Sequence, residues 1–225
     1  MKNSLPFRML LAIKRSFIVA RVMLVKQGYS RSVVTGRPVD GGGAPIPWFT
    51  YPAIEYLKQF DFSRKRVFEY GSGNSSLFWA ARSASVIAVE SSETWHRHIS
   101  SMAPSNLEVQ LHPDREGYVN SIAAANDSFD IIVVDGKWRN ACLRACESFL
   151  RDGGIIIVDN SDRHYRACDE LRDKGYFQID FSGFSPINRY ASTTSLLLKS
   201  LPDQRAGYSQ SSPVGGLAER AGDDD

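Results

Sequence analysis

From Arg66 to Ser200, short apolar runs alternate with segments whose apolar residues recur at helical spacing. The runs are RVFEY (66–70), SVIAVE (85–90), LEVQL (107–111), DIIVVD (130–135) and GIIIVD (154–159), each rich in branched side chains. Continuous apolar character of this kind marks strands that helices cover on both faces. Between them SSLFWAARSA, ETWHRHISSM, YVNSIAAAN and RNACLRACESFL carry the helical pattern, and RHYRACDELRDKG adds a helix ended by Gly175. YFQIDFSGF and STTSLLLKS follow, joined by SPINRYA, which is too short for a helical crossover. Two strands so joined pair antiparallel, as a hairpin. The pattern therefore predicts an α/β domain: a seven-stranded, mostly parallel sheet with a C-terminal antiparallel hairpin and helices on both faces.

Upstream, PWFTYPAIEYLKQF (47–60) reads as a helix with Pro52 in its first turn. GYSRSVVTGRPVDGGGAPIP (28–47) reads as a linker or a loop over a site. In SLPFRMLLAIKRSFIVARVMLVKQ (4–27) the cations break the apolar residues into runs too short for a membrane span. Their charges fall in one broad sector of a helical wheel, the pattern of a basic amphipathic helix. Three readings stay open for it: packing on its own domain or a partner, peripheral membrane contact, or a targeting peptide. From Leu201 the tail has few apolar residues and reads as disordered. The chain thus divides into a basic N-terminal helix and linker (1–47), the sheet domain (48–200) and a tail (201–225).

Composition adds two points. The net charge of +2 offers no bulk attraction for nucleic acid, yet eight cations precede the first acid, Asp40. Cys142, Cys146 and Cys168 lack zinc-ligand spacing and suit a reducing, cytoplasmic compartment.

The stretch VFEYGSGNSS (67–76) runs from the first strand through two glycines into a helix, the arrangement that cradles a nucleotide. Glu69, just before the turn, would oppose a pyrophosphate but favour an ammonium. Gly71 and Gly73 leave room for close backbone approach. Glu90 ends the second strand, 90 − 71 = 19 positions past the first glycine, where a carboxylate reaches ribose hydroxyls. Each acid also has a plain structural reading: Glu69 as a strand-end acid, Glu90 as a cap for the helix near Ser92.

The acid-x-Gly-x-Gly motif, the order of elements and the final hairpin resemble class I S-adenosylmethionine-dependent methyltransferases, a Rossmann-like family, from about Trp48 to Lys199. Ser75 and Ser76 stand where a third glycine is common. The resemblance implies S-adenosyl-L-methionine as cofactor, held by Glu69, Gly71, Gly73, Asn74 and Glu90, with Thr50, Tyr51 and Asp135 nearby. Trp48 either closes the site or only packs. The HPDREGY loop (112–118) would lie near the adenine.

Strands four and five end in VVDGKWR and IIVDNSDRHYR, which put Asp135, Asp159 and Asn160 beside one crevice. The trio resembles the Mg²⁺ site of catechol O-methyltransferase-like enzymes. That family has a base lysine three residues after the first acid, whereas Lys137 is two after Asp135. Asp135 is also the substrate-side acid of metal-independent relatives, and Asp159-Asn160 could instead cap the next helix. Asp135, Lys137 and His164 are the catalytic candidates, with Asp162 as an alternative acceptor of a proton. Lys137, Trp138 and Arg139 could grip an anionic or sugar substrate. Phe184, Asn188, Arg189 and Tyr190 suit a substrate pocket.

The expected function is methylation of a small-molecule, sugar or glycan hydroxyl. No Asn-Pro-Pro-Tyr or Asp-Pro-Pro-Tyr motif follows strand four, and no nucleic-acid groove is expected. Two alternatives stay open: a catalytically silent module docking a partner or membrane, and an NAD-dependent oxidoreductase.

Overall fold

The computed structural model of the chain describes residues 5–199 and 214–215. Strands β1 (Arg66–Tyr70), β2 (Ser85–Glu90), β3 (Leu107–Leu111), β4 (Phe129–Val134), β5 (Leu150–Asp159), β6 (Phe177–Phe184) and β7 (Ala191–Leu198) form one sheet. Their order is β3-β2-β1-β4-β5-β7-β6, with β1 to β5 parallel and β7 antiparallel to both of its neighbours. The last strand, not the sixth, docks on β5. Leu196, Leu197 and Leu198 are all buried, as an inner strand requires, while β6 alternates between exposed and partly buried residues, as an edge tolerates.

Each parallel strand feeds both faces. Val67, Ile131 and Ile157 point into one core with Ile54, Trp79 and Ile99. Their neighbours Phe68, Ile132 and Ile156 point into the other with Tyr118, Leu143 and Leu171. The covering helices are α3 (Tyr51–Leu57), α4 (Asn74–Ala80), α5 (Glu93–Ser100), α6 (Arg115–Ala124), α7 (Arg139–Cys146) and α8 (Tyr165–Asp173). β5 starts four residues before the predicted run, because Leu150 pairs with Phe129 across a register shift, near the left-handed Gly153.

The N-terminal segment holds α1 (Leu5–Arg21), a π-helical turn (Val22–Lys26) and α2 (Tyr29–Thr35). The glycine- and proline-rich stretch thus contains a helix that its composition hid. Beyond α2 a strap, residues 36–46, folds back onto the sheet domain. Ser32 Oγ donates to Val39 O at 2.9 Å and accepts from Val39 N at 3.0 Å. Asp40 Oδ1 accepts the amides of Gly42 and Ala44, and Asn74 Nδ2 at the start of α4 donates to Pro38 O at 2.6 Å. Apart from residues 214–215, the tail read as disordered lies outside the described residues. No described helix is long and apolar enough to cross a membrane.

Candidate active site

β1 and β4 are neighbours whose connections leave in opposite directions along the sheet, so their carboxyl ends open a crevice. A cleft of about 380 Å³ lies there. The glycine turn (Ser72 to Ser75), the strap (Gly36 to Pro38) and the two aromatic residues Trp48 and Trp95 line it. Asp135, Arg139, Asp159, Asn160, Asn188 and Tyr190 complete the wall. Its size falls within the range of small-ligand sites.

The turn after β1 is clamped by two carboxylates. Glu69 is fully buried, and its Oε2 accepts from Ser76 Oγ at 2.5 Å, while Ser76 Oγ also accepts the Gly73 amide at 3.1 Å. Glu69 Oε1 is buried without a partner. Burial, above all, raises the Glu69 pKa to about 8, against the pull of Ser75 and Ser76. The side chain expected to meet the cofactor therefore lies beneath the turn and shapes it. Glu90 holds the turn from the other side: Oε2 accepts from Ser72 Oγ at 3.1 Å, and Oε1 accepts the Ser91 and Ser92 amides at 2.7 and 2.8 Å. Ser92 itself caps α5.

The two glycines differ in what demands them. Gly71 has φ +111°, and a Cβ there would meet Gly136 Cα and N at 3.1 Å, where the turns after β1 and β4 touch. Gly73 is extended, and a Cβ there would meet nothing nearer than Ser75 Oγ at 3.8 Å. The chain leaves that volume open on the cleft. Asn74 lines the cleft and pins the strap.

Thr50 and Tyr51, expected on the cofactor, are buried in the core instead. Thr50 N donates to Thr194 Oγ1 at 3.0 Å, and Thr50 Oγ1 donates to Phe181 O at 2.8 Å. Tyr51 lies against the same core, where burial raises its pKa. Trp48 takes their place on the cleft. The sequence pattern did not single out Trp95, whose Nε1 donates to Ser72 O at 2.5 Å over the glycine turn. In the HPDREGY loop Asp114 caps α6 and Tyr118 is buried, and neither reaches the cleft.

At the ends of β4 and β5, Arg139 decides the chemistry. Its Nη2 lies 2.8 Å from Asp135 Oδ1, and Nη1 lies 3.7 Å from Asp159 Oδ2 and 3.3 Å from Asn160 Oδ1. The guanidinium also donates to three backbone carbonyls, those of Asp135, Gly136 and Asp159. This corrects the Mg²⁺ expectation. Asp135, Asp159 and Asn160 do converge, but on a built-in cation, which bonds Asp135 and Asn160 and faces the Asp159 carboxylate. A dication there would have to expel a guanidinium held by three carbonyls. Among the described residues no group of three His, Cys, Asp or Glu side chains could hold a metal. Nor do Asp159 and Asn160 cap α8, which begins at Tyr165 after His164.

Burial raises the pKa of both Asp135 and Asp159, the charge of Asp135 raises that of Asp159 further, and Arg139 opposes the rise in both. Two carboxylates facing one cation share protons as a pair. Thr194 Oγ1 donates to Asp159 Oδ1 at 2.7 Å, which links the pair to Thr50.

Lys137 is exposed, with Nζ 5.7 Å from the Trp138 ring, and does not line the cleft. The reason is Trp138, whose φ of +49° turns the chain into α7 and delivers the residue after it, Arg139, to the carboxylates. His164 faces a separate depression beyond Arg139, where its Nδ1 lies 2.9 Å from Asn140 Oδ1. Burial and the nearby arginines lower its pKa. Asp162 accepts the Thr193 amide at 3.1 Å. Of the hairpin loop, Asn188 and Tyr190 reach the cleft.

The fold is shared with solved structures. Precorrin-6y C5,15-methyltransferase from Geobacter metallireducens GS-15 aligns over 66% of this chain and 87% of its own, at 14% identity and TM-score 0.52. A methyltransferase from Pyrococcus furiosus aligns over 84% and 99%, at 16% identity and TM-score 0.50. The fibrillarin pre-rRNA processing protein of Methanococcus jannaschii aligns over 65% and 74%, at 13% identity and TM-score 0.52. No family model and no curated protein matches the chain. At these identities the likeness is one of fold: the chain has the class I S-adenosylmethionine-dependent methyltransferase fold.

Proposed function

We propose that the chain is an S-adenosylmethionine-dependent methyltransferase acting on a hydroxyl of a small molecule, sugar or glycan, with the Asp135–Asp159 pair as proton acceptor. The observation that carries this reading is the joining of two features in one cleft. A glycine turn with open volume at Gly73 stands at the end of β1, and a carboxylate pair stands at the ends of β4 and β5.

The donor set fits a cationic adenosyl cofactor. Glu90 has no ion-pair partner among the described residues, so its carboxylate offers a negative field to an ammonium and a sulfonium, while Glu69, buried and with its pKa raised to about 8, supports the turn from beneath. Glu90 Oε2 is held by one serine hydroxyl and can turn to ribose hydroxyls. Ser72, Gly73 and Asn74 would contact the amino-acid end, with Arg37 of the strap on the same cleft for its carboxylate. Bound there, S-adenosylmethionine supplies an electrophilic methyl group.

The remaining work falls to the chain. Asn160, Asn188 and Tyr190 orient the acceptor, since holding reactants in line removes much of the entropic barrier. Asp135 takes the hydroxyl proton, and Arg139 keeps both carboxylates aimed at the cleft. Trp48 and Trp95 exclude water. The three cysteines are buried and free, which fits work in a reducing compartment.

The test is transfer of a labelled methyl group to hydroxyl-bearing acceptors by the protein and by Asp135→Asn. Loss of a base costs about 10²- to 10⁴-fold in rate, with affinity for S-adenosylhomocysteine nearly unchanged. An Asp135→Asn protein as active as the parent would remove the pair from the chemistry.

A further inference from the structure

We infer that α1 is a docking surface for an anionic lipid bilayer, on which the helix lies flat. No residue of α1 is buried, although it carries eight large apolar side chains that are each at least 44% exposed. A helix whose only role was to pack on its own domain would bury such a face. The structure therefore disfavours the plainest reading of this segment.

The charge pattern names the occupant. At about 100° per residue, Arg8, Lys14, Arg15 and Arg21 fall within an arc of roughly 140°. The remaining arc is uncharged and includes Met9, Leu10, Ile13, Phe17 and Val19, all exposed. Lys26 continues the basic series through the π-helical turn, and the chain has no acid before Asp40. A second copy of this helix would bring the same cations against these with no counter-charge, so self-pairing is opposed. A surface of anionic headgroups over hydrocarbon answers both halves of the pattern: apolar side chains enter the acyl boundary, and the long cationic ones reach back to the headgroups. The 17 residues of α1 span about 26 Å at 1.5 Å per residue, and the cations among them rule out crossing in favour of lying in the plane.

The connection to the domain is short. α1 passes through the π-helical turn and α2 into the strap, whose Pro38 is bonded to Asn74 on the cleft. Docking of α1 would therefore hold the cleft close to the lipid surface. This inference does not rest on the methyltransferase reading.

The experiment is co-sedimentation of the full chain with vesicles of phosphatidylcholine alone or with ~30 mol% phosphatidylglycerol, at ~50 mM and ~500 mM salt. Binding is expected to the anionic vesicles only, at least tenfold weaker at the higher salt. A Leu10→Asp, Phe17→Asp protein and a Lys14→Glu, Arg15→Glu protein are each expected to lose it while keeping an unchanged thermal melting transition. Equal binding to both vesicle types, no binding to either, or binding untouched by both pairs of substitutions would overturn the proposal. So would a dimer seen by sedimentation velocity without lipid that Leu10→Asp, Phe17→Asp dissolves, because the face would then belong to a second copy.

Discussion

The cleft has two halves: behind the glycine turn of one stand two carboxylates that do not line it, and on the wall of the other stand two that do, and the two pairs are neutralised differently. At the ends of β1 and β2, Glu69 and Glu90 are held by serine hydroxyls and backbone amides, with no cation of the protein beside them. At the ends of β4 and β5, Asp135 and Asp159 share Arg139. In the first half Glu69 is protonated beneath a rigid turn and Glu90 has no cation beside it, which suits a ligand that brings its own positive charge. In the second half one guanidinium faces both carboxylates, so they can stay close together and share a proton. The difference argues for binding in one half and proton chemistry in the other.

Removing the cation should have the largest effect. Arg139→Ala leaves two buried carboxylates facing each other and is expected to cost about 3–5 kcal/mol in chemical denaturation. Asp159→Asn in the same chain should recover part of that loss, the signature of a coupled pair. If Arg139→Ala is as stable as the parent, the two halves do not differ as described. Wild-type stability should also be the same in excess chelator and in excess Mg²⁺, because Arg139 already fills the position between the acids.

The glycine turn gives the next contrast. Gly71→Ala is expected to destabilise by about 1–3 kcal/mol, from its positive φ and its contact with Gly136. Gly73→Val should leave the melting temperature nearly unchanged yet weaken S-adenosylhomocysteine about tenfold or more, since the added side chain enters open cleft volume. A Gly73→Val protein that binds normally would mean that the open volume is not the cradle.

A pH dependence separates the buried acid from the others. The Glu69 pKa is raised from 4.5 to about 8, so the folded chain holds a proton there that the unfolded chain has released. Stability from this residue is full below the unfolded value and is lost as pH rises through about 8. Glu69→Gln, which cannot ionise, should flatten the fall in melting temperature over that window. An unchanged slope would show that Glu69 is not the buried acid responsible.

Much of this was readable in the chain. Strands buried on both faces leave continuous runs of branched residues, so RVFEY, DIIVVD and GIIIVD could be placed without a structure, and so could the hairpin through its short connection. The Glu69–Gly73 turn was legible because its spacing is local. What was hidden depended on distant partners or on unusual backbone. Thr50 bonds to Phe181 and Thr194, more than 130 positions away, so nothing near it reveals that its hydroxyl is already used. Lys137 looked like the base and Arg139 like a grip on an anionic or sugar substrate, because a left-handed tryptophan is not signalled by residue type. Trp95 sits in an ordinary helical pattern and reaches the turn only through the packing of α5. In α2, the turn-rich composition concealed a helix that Gly28 and Gly36, both left-handed, bound at its ends.

The most direct test is calorimetric titration of the protein with S-adenosylhomocysteine, with NAD⁺ as the control ligand and chelator present throughout. Binding of S-adenosylhomocysteine alone is expected, weakened at least tenfold by Glu90→Ala. Tighter binding of NAD⁺, or no binding of either ligand, would contradict the assignment of the glycine-turn half of the cleft to a cationic adenosyl cofactor.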